Sequence, residues 1–84
     1  MKEFMRKFTQ LNGVVAKVIL EHCLFDDQVF YCNELQTIND DNRIGVVLKN
    51  QEIFIDKQHI SFAEVQGGTY VVSDGRLNII VIVK

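Results

Sequence analysis

The second half of this chain, residues 43–84, alternates short apolar stretches with turn residues and ends in an unbroken run of apolar side chains. Every residue from Ile79 to Val83 is apolar, so both faces of a strand formed there need cover. A strand without charge or proline aggregates if its edge stays open. We therefore expect this strand to lie inside a sheet or to pair with a second copy. The expected oligomer interface consists of Leu77, Ile79, Val81 and Val83.

Length and composition indicate one small folded domain. The 84 residues are 48% apolar and 24% charged, and they include no proline that would mark a linker. A net charge of -2 argues against the overall basic field that nucleic-acid binders use. The N-terminus has no apolar signal region, and no apolar run reaches the length of a membrane span. We expect a cytoplasmic domain with no membrane partner, and its two cysteines agree with a reducing compartment.

The N-terminal residues predict a short amphipathic helix over residues 1–12. Asn12-Gly13 supplies the left-handed residue that commonly ends a helix. The apolar side chains recur at helical spacing, at Met1, Phe4, Met5, Phe8 and Leu11.

Residues 14–84 then predict antiparallel β structure. The β-branched residues between Val14 and Glu21 favour a strand. A helix is the alternative there, because Val15, Val18 and Ile19 also fit a 3.6-residue period.

Five turn centres place residues opposite one another in self-consistent hairpins. The centres are Asp27-Gln28, Asn39 to Asn42, Asn50-Gln51, Gly67-Gly68 and Asp74-Gly75. The pairs they predict are Phe25 with Phe30, Ile38 with Arg43, Leu48 with Ile53, Val65 with Tyr70, and Val72 with Leu77. The predicted fold is mostly β: an N-terminal helix followed by a small, bent antiparallel barrel or meander of about six strands. A bend is expected at Lys57-Gln58-His59.

The cysteines and histidines are the first candidates for chemistry. The Asp27-Gln28 turn would place Cys23 opposite Cys32, close enough for a strained, reducible disulfide. The alternative is two small buried side chains. Zinc-ligand types occur at His22, Cys23, Cys32 and His59, but without zinc-site spacing. We therefore expect no metal and no cofactor.

Two carboxylate pairs, Asp26-Asp27 and Asp40-Asp41, could support acid–base chemistry or hold a hard cation. Both pairs lie at predicted turns, where aspartate commonly bonds its own backbone. No nucleophile lies beside a base in a recognisable arrangement. The sequence therefore predicts that this protein is not an enzyme.

Two segments carry a resemblance to a known family. The first is an apolar strand, an Asp/Asn loop and a second apolar strand, running from Leu35 to Leu48. The second is Asp56-Lys57-Gln58-His59-Ile60-Ser61. Together with the N-terminal helix they resemble the Sm-like fold, the small barrel of the LSm and bacterial Hfq proteins. The resemblance implies a ring of identical subunits joined by strand edges and binding single-stranded RNA at its pore. The RNA-binding residues it implies are Asp40, Asp41, Asn42, Lys57 and His59.

Three functions are consistent with the sequence. The apolar terminal strand and the acidic balance favour a non-catalytic assembly or adaptor domain that self-associates through strand pairing, as a homo-oligomer or with another protein. The alternative is an Sm-like ring binding single-stranded RNA. A thiol switch or small enzyme based on Cys23 and Cys32 is the third.

Overall fold

The computed structural model describes residues 2–84 and contains one α-helix, eight strands and a 3-10 turn. The bounds are α1 Lys2–Thr9, β1 Ala16–His22, β2 Phe25–Cys32, β3 Gln36–Asn39, β4 Arg43–Leu48, β5 Gln51–Asp56, β6 Phe62–Gln66, β7 Thr69–Ser73 and β8 Leu77–Val83. All pairings are antiparallel, in a five-stranded sheet of order β2-β1-β8-β7-β6 and a three-stranded sheet of order β3-β4-β5. The mostly-β prediction is confirmed, with two bent sheets in place of a closed barrel and eight strands instead of six.

The elements expected near the N-terminus are present. The predicted helix forms as α1 from Lys2 to Thr9; residues 10–12 are turn instead of helix, and Met1 lies outside the described residues. Gly13 follows it with a φ of 91°, the left-handed conformation expected of the residue that ends the segment. The strand predicted from Val14 to Glu21 forms as β1, so the helical alternative is wrong. The bend predicted at Lys57-Gln58-His59 is the 3-10 turn between β5 and β6.

The first predicted hairpin is wrong. The chain turns at Cys23 and Leu24, and β2 runs straight through Asp27-Gln28. The turn is held locally, because the backbone N–H of Leu24 donates to His22 Nδ1 at 3.1 Å. Cys32 consequently lies opposite Ala16, at the far end of β2 from Cys23. The predicted cross-strand disulfide therefore has no geometric basis.

The remaining hairpins turn where expected, with register differences. The Gly67-Gly68 hairpin is confirmed, since Val65 pairs with Tyr70. The other three are shifted by two residues, and the observed pairs are Ile38 with Gly45, Leu48 with Gln51, and Val72 with Ile79. A shift of two keeps each side chain on its predicted face.

Local turn chemistry explains two of these shifts. Lys49 and Asn50 have φ values of 50° and 65°, which makes a tight two-residue turn one position earlier than predicted. The carboxylate of Asp74 accepts the N–H groups of Arg76 and Leu77, both at 2.8 Å, which gives the last hairpin a longer loop.

The terminal strand β8 is the central strand of the larger sheet. It pairs with β1 on one side and β7 on the other, so both of its edges are occupied within the chain. Ile79 and Val81 are fully buried in the core, while Leu77 and Val83 are half-buried against it. The interface predicted at Leu77, Ile79, Val81 and Val83 is thereby corrected: this strand is covered by its own chain.

The core lies between the two sheets and beneath α1. Phe4 and Phe8 of the helix are buried, with ring centroids 6.1 Å and 6.4 Å from that of Tyr70. The helix is fastened to β3 by Asn39, whose Nδ2 donates to the Met5 carbonyl at 3.1 Å and to Thr9 Oγ1 at 2.6 Å. The apolar side of α1 therefore covers the core between the two sheets, and none of it reaches the outer face of the large sheet.

Candidate functional site

The Asp/Asn loop is ordered by the first of its carboxylates. Asp40 Oδ1 accepts the backbone N–H groups of Asn42 at 2.9 Å and Arg43 at 2.7 Å. Asp40 Oδ2 lies 2.9 Å from both Nε and Nη2 of Arg43. These bonds lower the pKa of Asp40 below its ordinary value. The largest cause is the hydrogen bond from the Asn42 N–H, and the second is the hydrogen bond from the Arg43 side chain. This carboxylate stabilises the turn and has little capacity left for a ligand.

Lys57 joins this loop to the turn after β5. Its backbone N–H donates to the Asn42 carbonyl at 2.8 Å, and its ammonium donates to the Asp40 carbonyl. The structure thus brings Asp40, Asn42 and Lys57 together, with Asp41 between the two loop residues. His59 is exposed at the end of the 3-10 turn and does not line the adjoining cleft.

That cleft has a volume of about 510 Å³ and contains an aromatic residue that the sequence did not indicate. Phe54 is 43% exposed, and its ring centroid lies 5.0 Å from the Arg43 guanidinium. The sequence could have indicated its exposure, because side chains alternate between the two faces of a strand and Ile55, its neighbour on β5, is buried. The lining residues are Asp41, Asn42, Arg43, Phe54, Asp56, Lys57 and Gln58.

The charges of the cleft are balanced internally. The Arg43 guanidinium contacts Glu52 at 3.0 Å as well as Asp40, and the Lys57 ammonium is bonded to a carbonyl. Asp41 and Asp56 add negative charge to the lining. This cleft therefore offers a stacking surface for a planar group rather than a concentrated positive charge for phosphate.

The most exposed apolar surface lies elsewhere, on the β1–β2 hairpin, whose turn was predicted at the wrong residues. Four large apolar side chains are exposed along and just before β2: Leu24 by 74%, Phe25 by 70%, Val29 by 47% and Tyr31 by 71%. Strand β2 is eight residues long and forms an edge of the large sheet, paired with β1 alone. Two carboxylates, Asp26 and Asp27, are the only charges on it. Exposed edges of this length are sites at which another chain can pair.

The free backbone groups of β2 can be assigned from β1. On either side of β1, the Val15 carbonyl accepts the Lys84 N–H and the Cys23 N–H donates to the Arg76 carbonyl. The backbone groups of odd-numbered residues from 15 to 23 therefore point towards β8. Because the bonding direction alternates along a strand, the even-numbered residues of β1 bond to their partners in β2, which include Phe30. The backbone groups of Val29 and Tyr31 therefore point outward from the sheet.

Two adjoining grooves run along this free edge. Their volumes are about 440 Å³ and 420 Å³, and both share Val29 and Phe30 as one wall. The opposite wall is formed by the β4–β5 hairpin, where Leu48 and Lys49 line both grooves. The Lys49 ammonium lies 5.7 Å from the Phe30 ring centroid across this gap. The edge of β2 therefore borders two open grooves, and the Lys49 side chain reaches across them.

The thiol and metal candidates do not converge. Cys23 is exposed in its turn, whereas Cys32 is half-buried, and burial raises the pKa of its thiol. Within residues 2–84 no three His, Cys, Asp or Glu side chains are grouped to hold a metal ion. Over the same residues, no helix has the length and apolar character needed to cross a membrane.

Comparison with family models, with curated proteins and with solved structures gave no significant match to this chain.

Proposed function

We propose that this chain is a non-catalytic assembly domain in which the free edge of β2 pairs with a strand of another chain, in the first instance a second copy of itself. The observation that carries the proposal is the edge: eight residues, outward-pointing backbone groups at Val29 and Tyr31, and exposed apolar side chains beside them. Main-chain hydrogen bonds supply affinity in strand addition, and flanking side chains supply specificity.

The sequence of β2 suits antiparallel pairing with its own copy. A register centred on Val29 places Asp27 opposite Tyr31 of the partner subunit, and Asp26 opposite Cys32 of the partner subunit. No like charges then face each other, and a tyrosine hydroxyl can donate to a carboxylate. This pairing replaces the association first expected at the terminal strand.

The test uses proline at an outward-pointing position. Val29→Pro removes a free N–H without breaking the ladder between β1 and β2, and Val29→Ala is the matched control that retains the N–H. Light scattering over a concentration series should show an oligomer for the wild type and for Val29→Ala, and a smaller particle for Val29→Pro. Circular dichroism confirms that each variant is folded. A folded Val29→Pro chain with the wild-type mass, or a wild type that stays monomeric throughout, contradicts the proposal.

A second candidate, an RNA-binding protein resembling the Sm-like family, is favoured by one observation. Phe54 is exposed in the cleft where the Asp40–Asn42 loop meets Lys57, and stacking on an aromatic ring supports single-strand binding. Fluorescence anisotropy with a labelled mixed-sequence RNA oligonucleotide tests it. Phe54→Ala should weaken binding, while Phe62→Ala, which removes an exposed aromatic ring outside the cleft, should not. Equal effects of the two substitutions, or no binding by the wild type, count against RNA.

A further inference from the structure

The outer face of the five-stranded sheet carries an apolar row over four of its strands, and on the fifth, β6, the register continues the row with Glu64. Strand register places Val29, Ile19, Ile80 and Val71 side by side across four strands. These positions alternate with the core residues Val18, Val72, Ile79 and Val81, so their side chains lie on the opposite face. Helix α1 packs against β3 and β6 on the inner side. In the described part of the chain, no element covers this row.

The two ends of the same face carry opposite charges. Lys17 lies two residues before Ile19 on β1, and Lys84 follows the nearby end of β8. Their ammonium groups are 5.8 Å and 5.4 Å from the ring centroid of Tyr31. Glu21 lies two residues after Ile19, and its carboxylate accepts the side-chain amide of Asn78 at 3.0 Å. The apolar row is therefore flanked by a basic end and an acidic end.

We propose that this outer face binds the outer face of a second copy of the chain about a two-fold axis that runs along the row through Ile19 and Ile80. Such an axis reverses the strand direction, so each basic end lies over an acidic end. Lys17 then faces Glu21 of the partner subunit, and the same contact repeats once by symmetry. The inference rests on the proposed assembly function and adds a second surface to it, with the partner unchanged.

The charge pattern is what selects a second copy as the occupant. Lys17 and Glu21 are equally spaced from Ile19, so a single rotation pairs both of these charges and stacks the apolar row on itself, with Glu64 opposite Glu64 of the partner subunit at the rim. An anionic membrane surface would be matched by a basic face, whereas this face carries both signs.

The size of the face is also adequate for a dimer. Five strands at about 4.8 Å spacing and about six residues at about 3.3 Å cover about 480 Å² in projection. Two subunits therefore bury about 1,000 Å², which is at the lower bound for a specific interface. Aligned packing of two sheets is a common arrangement in proteins.

Complementary charge reversals test the contact. Lys17→Glu gives a face with acid at both ends, and Glu21→Lys gives a face with base at both ends. Each single variant places like charges opposite each other in its own dimer, and we expect its dissociation constant to rise by about tenfold or more. A 1:1 mixture of the two variants pairs opposite charges again and should form a heterodimer. The double variant should also self-associate as the wild type does.

Controls separate this face from the edge of β2. Glu3→Lys and Arg76→Glu make the same charge changes at exposed positions off this face and outside the β2 grooves, and their mixture should gain no mass over the separate chains. All variants are measured in the wild-type, Val29→Pro and Val29→Ala backgrounds, because Val29 also belongs to the apolar row and the alanine background removes its side chain while keeping the edge N–H. If the two single variants leave the mass of all three backgrounds unchanged, the face contact is overturned, while a mass lowered by Val29→Pro still supports the edge. Rescue by mixing in the Val29→Pro background supports the face, and the edge is contradicted only if Val29→Pro leaves the wild-type mass unchanged.

Discussion

Gly45 lies directly against the backbone of Ile53, because β4 and β5 pair with Gly45 opposite Phe54. A β-carbon on Gly45 would overlap the Ile53 carbonyl oxygen and lie 2.6 Å from the Phe54 α-carbon. Both neighbours are main-chain atoms of a paired strand and cannot move aside independently.

We therefore expect Gly45→Ala to lower the free energy of unfolding by about 3 kcal/mol or more, the upper range for overpacking. Gly13→Ala is the matched control, since a β-carbon added at Gly13 would meet no atom within 4 Å and its cost is the left-handed backbone alone. That cost is about 1–2 kcal/mol. Urea denaturation of both variants measures the difference. An equal loss in the two would show that the close approach at Gly45 is absent in solution.

Val81 and Ile80 are neighbours on β8 with opposite environments. Val81 is fully buried in the core, so Val81→Lys places an unpaired ammonium among apolar side chains and should abolish cooperative unfolding. Ile80→Lys places the same group on the outer face, where the ammonium reaches solvent, and that chain should fold. Thermal unfolding followed by circular dichroism distinguishes the two. A folded, smaller particle for Val81→Lys would restore the terminal strand as an interface.

The carboxylate of Asp74 makes stability depend on acidity. The Leu77 N–H, and to a smaller degree the Arg76 N–H, lowers the pKa of Asp74 in the folded chain. A lowered folded-state pKa stabilises the fold above the unfolded pKa of about 3.9, and this contribution is lost as the pH falls through the folded pKa. Asp74→Asn keeps an acceptor oxygen but loses the charge.

The expected result is a chain less stable than wild type at pH 7, with a difference that shrinks below about pH 4. Asp41→Asn is the control, because the Asp41 side chain has no hydrogen bond among the described residues. Denaturation at a series of pH values gives both curves. A deficit for Asp74→Asn that stays constant down to about pH 2 would contradict the role of this carboxylate.

The two thiols should react separately. Cys23 is exposed, whereas Cys32 is half-buried with a raised pKa, so a thiol reagent at neutral pH should label Cys23 first and Cys32 slowly. Because the two lie at opposite ends of β2, mild oxidation should give no disulfide within one chain. Peptide mapping of the labelled and oxidised protein checks both expectations. An internal Cys23–Cys32 disulfide would require the Asp27-Gln28 hairpin that the fold excludes.

Local patterns in the chain were enough to predict its elements, but not which elements pair. Helical spacing of apolar residues indicated α1, and β-branched runs between turn residues indicated the mostly-β class, because both signals are local. In three of the hairpins the register error was two residues, which kept each side chain on its predicted face, because side chains alternate along a strand. The loop from Asp40 to Asn42 meets Lys57 in the fold, whereas His59 lies outside their cleft, and the RNA-binding role that the resemblance implies for these residues stays a prediction.

Which sheet edges are occupied became clear only from the folded chain. An apolar strand such as β8 needs cover on both sides, and the sequence cannot distinguish cover by β1 and β7 from cover by a second subunit. The opposite error occurred at β2, where Asp27-Gln28 resembles a turn but forms an extended, solvent-facing strand, because the turn is made earlier by His22 and Leu24. Long-range pairing is set by which strands meet in space, and that choice depends on the whole core rather than on any one segment.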